Sequence, residues 1–270
     1  GDFNTAVGYL SATAITTGER NSAFGSYALR TNISGANNVA NGFQSLYYNT
    51  ANYNTAVGSL SLHSNTTASN NTAVGYQAGY SNTIGGSLTV VGRQALYANT
   101  SGSFLAAFGD STLGANTTGS RNSAFGISAL QSNTTASDNT AVGYQAGYSN
   151  TTGTQNTLIG SLAGDALTTS GRNVAIGYAA LSSEQLGLYS VAIGYSALSS
   201  QVNGSAVTTY NTAIGYAAGS VINTGTNNTL IGGLAGDAIT SGGANVAVGT
   251  SALSANTTAS DNTAVGYQSL

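Results

Sequence analysis

One glycine at the end of a short apolar run recurs through the whole chain: Gly8, Gly25, Gly42, Gly58, Gly75, Gly92, Gly109, Gly126, Gly143, Gly160, Gly177, Gly194, Gly215, Gly232, Gly249 and Gly266. Read as differences between those numbers, thirteen of the fifteen intervals equal 17; the exceptions are 16 (Gly42 to Gly58) and 21 (Gly194 to Gly215). The stretch NTAVGYQAGYSNT stands at both Asn71–Thr83 and Asn139–Thr151, four periods apart. A fixed short period means that each unit is built alike and buries its apolar side against its neighbours, which is a solenoid.

The unit reads G-x-x-[AS]-[LG]-x-[SA]-N-T-T-[GA]-x-x-N-T-A-V. The residue three after Gly is always Ala, Ser or Thr, and the next is Leu in ten units and Gly in five. No helical period appears, and Gly, Asn and Thr are too dense for helix. A unit of this length suffices for two or three short strands joined by Gly/Asn turns, and such coils stack at ~4.8 Å. The expectation is an all-β chain: a parallel β-solenoid or β-roll of about sixteen coils, roughly 75 Å long at that spacing. Residues 1–270 read as a single repeat domain cut from a longer fibre, with an insertion in the coil at 195–215.

The residue before each Gly is Val, Ile or Phe except at Asn41, and the one before that is Ala in thirteen units. Alternate strand residues face opposite ways, so both faces of this strand are apolar. We assign Val74, Val142 and their equivalents to the coil interior, with the Leu four after Gly. Where that Leu is Gly, Tyr80, Tyr148, Leu167, Ile222 or Ile239 compensates. The opposite face, the column containing Ala73 and Ala141, then lies uncovered and calls for identical chains around a common axis. Asn71, Asn139 and their equivalents form a stacked amide column, in which Leu88 and Leu105 substitute as an adjacent apolar pair. Gly75, Gly143 and the other repeat glycines mark a turn with φ > 0 or close backbone approach.

At NVAIGYAALS (Asn173–Ser182) and SVAIGYSALS (Ser190–Ser199) the sequence resembles the YadA-like head repeat of trimeric autotransporter adhesins, whose signature is an N-S-V-A-I-G-x-x-S-type element. The N-T-A-V-G-Y-Q arrays are also similar to those of bacteriophage tail fibres, trimeric host-recognition proteins. The resemblance covers essentially the whole chain. It implies a left-handed roll in each chain, three chains per head, and attachment to surfaces. The unit is longer than that family's usual repeat, which implies a wider loop at S-N-T-T-G, and the sequence holds no heptad stalk or membrane anchor.

Chemistry is sparse. Charged residues are 5% of the chain against roughly 25% in typical soluble proteins. Lys and Cys are absent and the formal charge is −3, so nucleic acid, an anionic membrane surface, a disulfide framework and a thiolate metal site are not expected. No apolar run reaches the ~20 residues of a membrane helix. The single His63 reads as a solvent-facing loop residue. Asp165 and Asp237 lie four coils apart, too far to act as a carboxylate pair, and Asp138 and Asp261 read as turn caps. We expect no catalytic site, metal or cofactor.

Contact sites are sought instead in the Tyr column after Gly (Tyr9, Tyr76, Tyr144, Tyr178, Tyr195, Tyr216, Tyr267) and in the insertion, with Gln201, Asn203 and Tyr210. Exposed rings of this kind suit sugar or protein partners. The N-x-[ST] sequons at Asn65, Asn116, Asn133, Asn150 and Asn256 follow from the repeat itself. The reading is a non-catalytic surface fibre or adhesin head on a cell surface or virion tail, a homo-oligomer with three chains favoured, attaching to a host glycan or protein. An ice-binding solenoid with Thr columns, or a purely structural filament, is the alternative.

Overall fold

The computed structural model describes residues 1–270 and is all-β, with sixteen parallel strands and no helix. The chain is a parallel β-solenoid in which one repeat unit makes one circuit. Its contacts gather into two compact units, Gly1–Ala136 and Ser137–Leu270. The first holds eight strands from Thr5–Val7 to Ser123–Phe125; the second holds eight from Thr140–Val142 to Thr263–Val265. Within each unit every strand pairs with the next in parallel, like residue against like: Ala56 opposite Ala73, Ala192 opposite Ala213. The one short and the one long interval are absorbed outside the strands, which keep register.

One strand of three or four residues forms per coil, not two or three strands. After Gly75, for example, Gln77 (φ 55°), Gly79 (φ 62°) and Ser87 (φ 58°) all adopt left-handed backbone. Such corners end a strand and cost a non-glycine residue ~1–2 kcal/mol. Stacking offsets the cost, because each turn still finds backbone partners one coil away: Leu62 N–H donates to Ala78 O (2.9 Å), Ser64 to Tyr80 (3.1 Å) and Thr66 to Thr83 (3.0 Å). The alternation of Leu and Gly four after the repeat glycine has the same origin. That position is left-handed whichever residue occupies it, as at Leu96 (φ 53°) and Gly164 (φ 55°). Leu fills the core and bears the strain; Gly relieves the strain and needs a filler. A Cβ at Gly164 would sit 2.8 Å from both Leu158 and Leu167, so those two side chains occupy the vacated space.

The strand faces are the reverse of the expected arrangement. Ala73, Ala141 and the other mid-strand residues except Ala6 in the first coil are buried, while Val74 and Val142 are each 37% exposed. The coil is thin, and its interior takes the Ala column, the small residue three after Gly, Leu and Asn; the larger Val, Ile and Phe point outward. Leu167, Ile222 and Ile239 are buried compensators as expected, but Tyr80 and Tyr148 are half-exposed.

Two asparagine columns run through the core. In the first, each Oδ1 accepts the backbone N–H of the next coil (Asn54 N to Asn38 Oδ1, 2.9 Å; Asn173 N to Asn156 Oδ1, 3.0 Å), and each Nδ2 donates to a carbonyl (Asn71 to Gly85 O, 3.1 Å). Leu88 and Leu105 interrupt it as a buried, directly opposed pair, and theirs are the only four-residue strands. At this opposed pair the strands lengthen by one rung. The second column is the Asn of S-N-T-T: Asn82 to Asn65 (2.9 Å), Asn99 to Asn82 (2.8 Å), Asn116 to Asn99 (2.8 Å). S-N-T-T is therefore a tight turn and not a wide loop. The sequons at Asn65, Asn116, Asn133 and Asn150 are buried with an amide hydrogen engaged, which hides their nitrogens in the folded chain, whereas Asn256 is half-exposed.

Candidate functional site

Three adjoining outer columns define the most extended surface feature. They are the Thr, Ser or Val that opens each strand, the Val, Ile or Phe that closes it, and the residue after Gly. In the second unit these columns carry no charge; in the first they carry only Arg93 and Asp110, which neutralise each other through Nε–Oδ2 (2.8 Å) and Nη2–Oδ1 (3.0 Å) bonds. Eight rungs at ~4.8 Å give each unit a strip without net charge on the order of 35 Å long. Phe108 and Phe125 stack along it at 4.8 Å.

The Tyr column lies where the sequence places it. Tyr9, Tyr76, Tyr144, Tyr178, Tyr195, Tyr216 and Tyr267 are all exposed. Tyr178, Tyr195 and Tyr216 stack in consecutive coils at 5.2 and 5.5 Å with 16° between planes. The others are separated by Ser, Phe, Ile, Thr, Gly or the Arg93–Asp110 pair at the same position, so the column is interrupted.

The insertion behaves differently. Tyr210 is exposed, but Gln201 and Asn203, expected at the surface, are buried. They face Glu184, a wholly buried carboxylate. Its Oε1 accepts the N–H groups of Gln185 (3.0 Å), Leu186 (2.9 Å), Gly187 (2.6 Å) and Asn203 (3.4 Å). Its Oε2 accepts Gln201 Nε2 (2.8 Å) and Asn203 Nδ2 (2.7 Å). Ser190, Thr209 and Asn211 extend the network. Six donors with no cation make this a structural clamp on the insertion, whose exposed residues are its tip at 204–206 together with Val202, Thr208 and Tyr210. The sequence signal was a Glu in a column otherwise filled by Asn, Gln or aliphatic residues.

A second aromatic column, five residues after Gly, escaped the sequence reading although four consecutive units mark it. His63 lies between Tyr47 (5.4 Å, 26°) and Tyr80 (5.1 Å, 9°), and Tyr80 stacks on Tyr97 (5.3 Å, 6°). His63 is thus half-buried in a ring stack and not a free loop residue, and desolvation lowers its pKa below the ordinary histidine value. In the same column Asp165 and Asp237 each keep one buried oxygen without a hydrogen-bond donor; burial raises the Asp165 pKa. No group of three or more His, Asp or Glu converges anywhere.

These features define a parallel β-solenoid repeat protein with ladder-lined outer faces. No protein-family model, no curated protein and no solved structure matches the chain.

Proposed function

We propose that this chain is the head or shaft of a non-catalytic surface fibre, that copies of itself cover the Val/Ile/Phe columns, and that the assembly attaches to cells or host surfaces. The observation that supports it is the column of outward-facing Val, Ile and Phe on each unit, broken only at Asn41, in a strip with no net charge, which a neighbouring chain would remove from water. A surface without net charge, its one Arg93–Asp110 pair already matched, meets its own copy with little like-charge repulsion, and short β-branched side chains in register pack closely between sheets. Three chains are favoured by the resemblance to trimeric adhesin heads and tail fibres, which also motivates an extracellular or virion location. Multi-angle light scattering should give three times the 26.7 kDa chain mass. A monomer, with retention on target cells no greater than that of an unrelated solenoid, would remove the proposal.

The ice-binding alternative needs rows of hydroxyls free to order water. The Thr column of S-N-T-T instead donates to the next coil's carbonyls, Thr66 to Thr83 (3.0 Å), Thr83 to Thr100 (2.9 Å) and Thr100 to Thr117 (3.1 Å). Thermal hysteresis at micromolar concentration would displace the fibre reading.

A further inference from the structure

The stack His63–Tyr80–Tyr97 ends abruptly. The next residue in its column is Gly114, which has no side chain, and the one after is Gln131. One face of the Tyr97 ring therefore opens onto a cleft of ≈ 360 Å³ lined by Gln94, Tyr97, Ser111, Gly114, Gln131 and Ser132, among others. That volume lies within the ~300–1,000 Å³ of small-molecule sites. Tyr97 and Gln131 stand two coils apart, about 9–10 Å at the strand spacing. Since the rings below pack at 5.1 and 5.3 Å, the slot has room for one further ring.

The walls specify what sort of ring. Its floor is an aromatic face, and its sides are amides and hydroxyls. The Gln131 and Ser132 side chains make no hydrogen bond within the chain and so present free donors and acceptors. The nearest charges are already satisfied: Arg93 is held by Asp110 through two bonds and also donates to Gln94 Oε1 (3.1 Å), and Ser111 Oγ donates to Asp110 Oδ1 (2.7 Å). No free cation is offered to a phosphate, sialate or uronate. A ligand with one apolar face, a rim of hydroxyls and no charge matches this arrangement, and a neutral pyranose has that form.

We propose that the gap at Gly114 is a binding subsite for a single neutral pyranose ring, stacked on Tyr97 and hydrogen-bonded by Gln131 and Ser132. This deepens the attachment role by naming its ligand class and rests on that reading for its biological meaning. The binding itself does not depend on assembly, so it is measured separately.

Saturation-transfer-difference NMR on the full chain should detect methyl β-D-glucopyranoside or methyl β-D-galactopyranoside with half-saturation on the order of 1–10 mM, as expected for so small a ligand. Transfer should be strongest to the protons of one sugar face. Gly114→Tyr supplies the missing rung and should weaken binding at least tenfold while leaving the fold and oligomeric state unchanged. A Cβ there comes 3.1 Å from Ser111 O, so Tyr97→Leu and Gln131→Ala serve as independent variants, each expected to weaken binding about tenfold. No transfer to either glycoside at concentrations well above that range, transfer undiminished in all three variants, or binding of p-cresol with both glycosides silent would overturn the proposal. A trimer that fails to bind these sugars refutes this inference alone; a sugar-binding monomer refutes the assembly reading alone.

Discussion

Replacing Glu184 by Gln changes one oxygen to an NH₂ with almost no change in volume, and the structure dictates where it hurts. The four backbone N–H groups on Oε1 require that atom to stay an acceptor. The new NH₂ then points at Gln201 Nε2 and Asn203 Nδ2, both donors. Asn203 can turn its amide over. Gln201 cannot do so freely, because its Oε1 accepts from Asn211 Nδ2 (2.8 Å), and Asn211 is fixed by Gly225 O (2.7 Å) and Asn228 N (2.9 Å). At least one donor–donor contact remains and every charge-assisted bond weakens, a loss of about 2–4 kcal/mol. Relief of the buried charge works in the opposite direction, but six donors have already compensated most of it. A solenoid opens locally, so the loss should show first as faster hydrogen exchange at Gln185, Leu186 and Gly187, with a smaller fall in the urea midpoint. Unchanged exchange at these amides, or a midpoint at or above that of the parent, would refute the clamp.

Other perturbations test other parts of the frame. Gly143 has φ 140°, and a Cβ there would lie 2.5 Å from Gly160 O; Gly143→Ala should cost at least about 3 kcal/mol by denaturation because only backbone can yield. Asn99→Leu removes two donated bonds and takes the acceptor from one hydrogen of Asn116 Nδ2, which keeps only Gly119 O, so a loss of about 2–4 kcal/mol in urea unfolding is expected. Asp165 carries a pKa raised by burial: its contribution to stability is full below the ordinary Asp value and lost as pH rises through the folded value. Asp165→Asn should therefore raise the melting temperature at pH 7 and leave it nearly unchanged at pH 3. His63 runs the other way, since burial lowers its pKa; stability should fall as pH drops below about 6.5, its unfolded value, and His63→Phe should flatten that segment of the curve.

The period was legible because a solenoid must repeat its backbone corners, and the repeat glycines, such as Gly75 (φ 135°) and Gly160 (φ 132°), hold a backbone that other residues rarely adopt. The buried asparagine columns were half legible. The Leu88/Leu105 pair disclosed stacking at one of them, while the other was hidden because S-N-T-T looks like surface loop chemistry. Asn is buried there because one amide satisfies its own turn's carbonyl and also the coil next to it, a gain available only to a residue that repeats.

Which strand face is inside was misread for a physical reason. Val, Ile and Phe carry more transferable apolar area than Ala, and burying the larger side chain is the usual rule. In so short a circuit the interior volume is set first, by how closely opposite sides of the coil approach, and the column that rarely varies in size is the one under steric constraint. Mid-strand Ala gives way only at Val90, Leu158 and Leu230, and Leu158 and Leu230 touch glycines of the Leu/Gly position, Gly164, Gly219 and Gly236. The closing position accepts Val, Ile, Phe and even Asn41, a range of volume and polarity that no close-packed interior tolerates. Size tolerance across repeats, and not hydrophobicity at one position, is thus the better guide to the outer wall of a thin coil. The same criterion marks the fifth position after Gly, where Tyr97 gives way to Gly114 with no compensating side chain, as a change that acts on the surface alone.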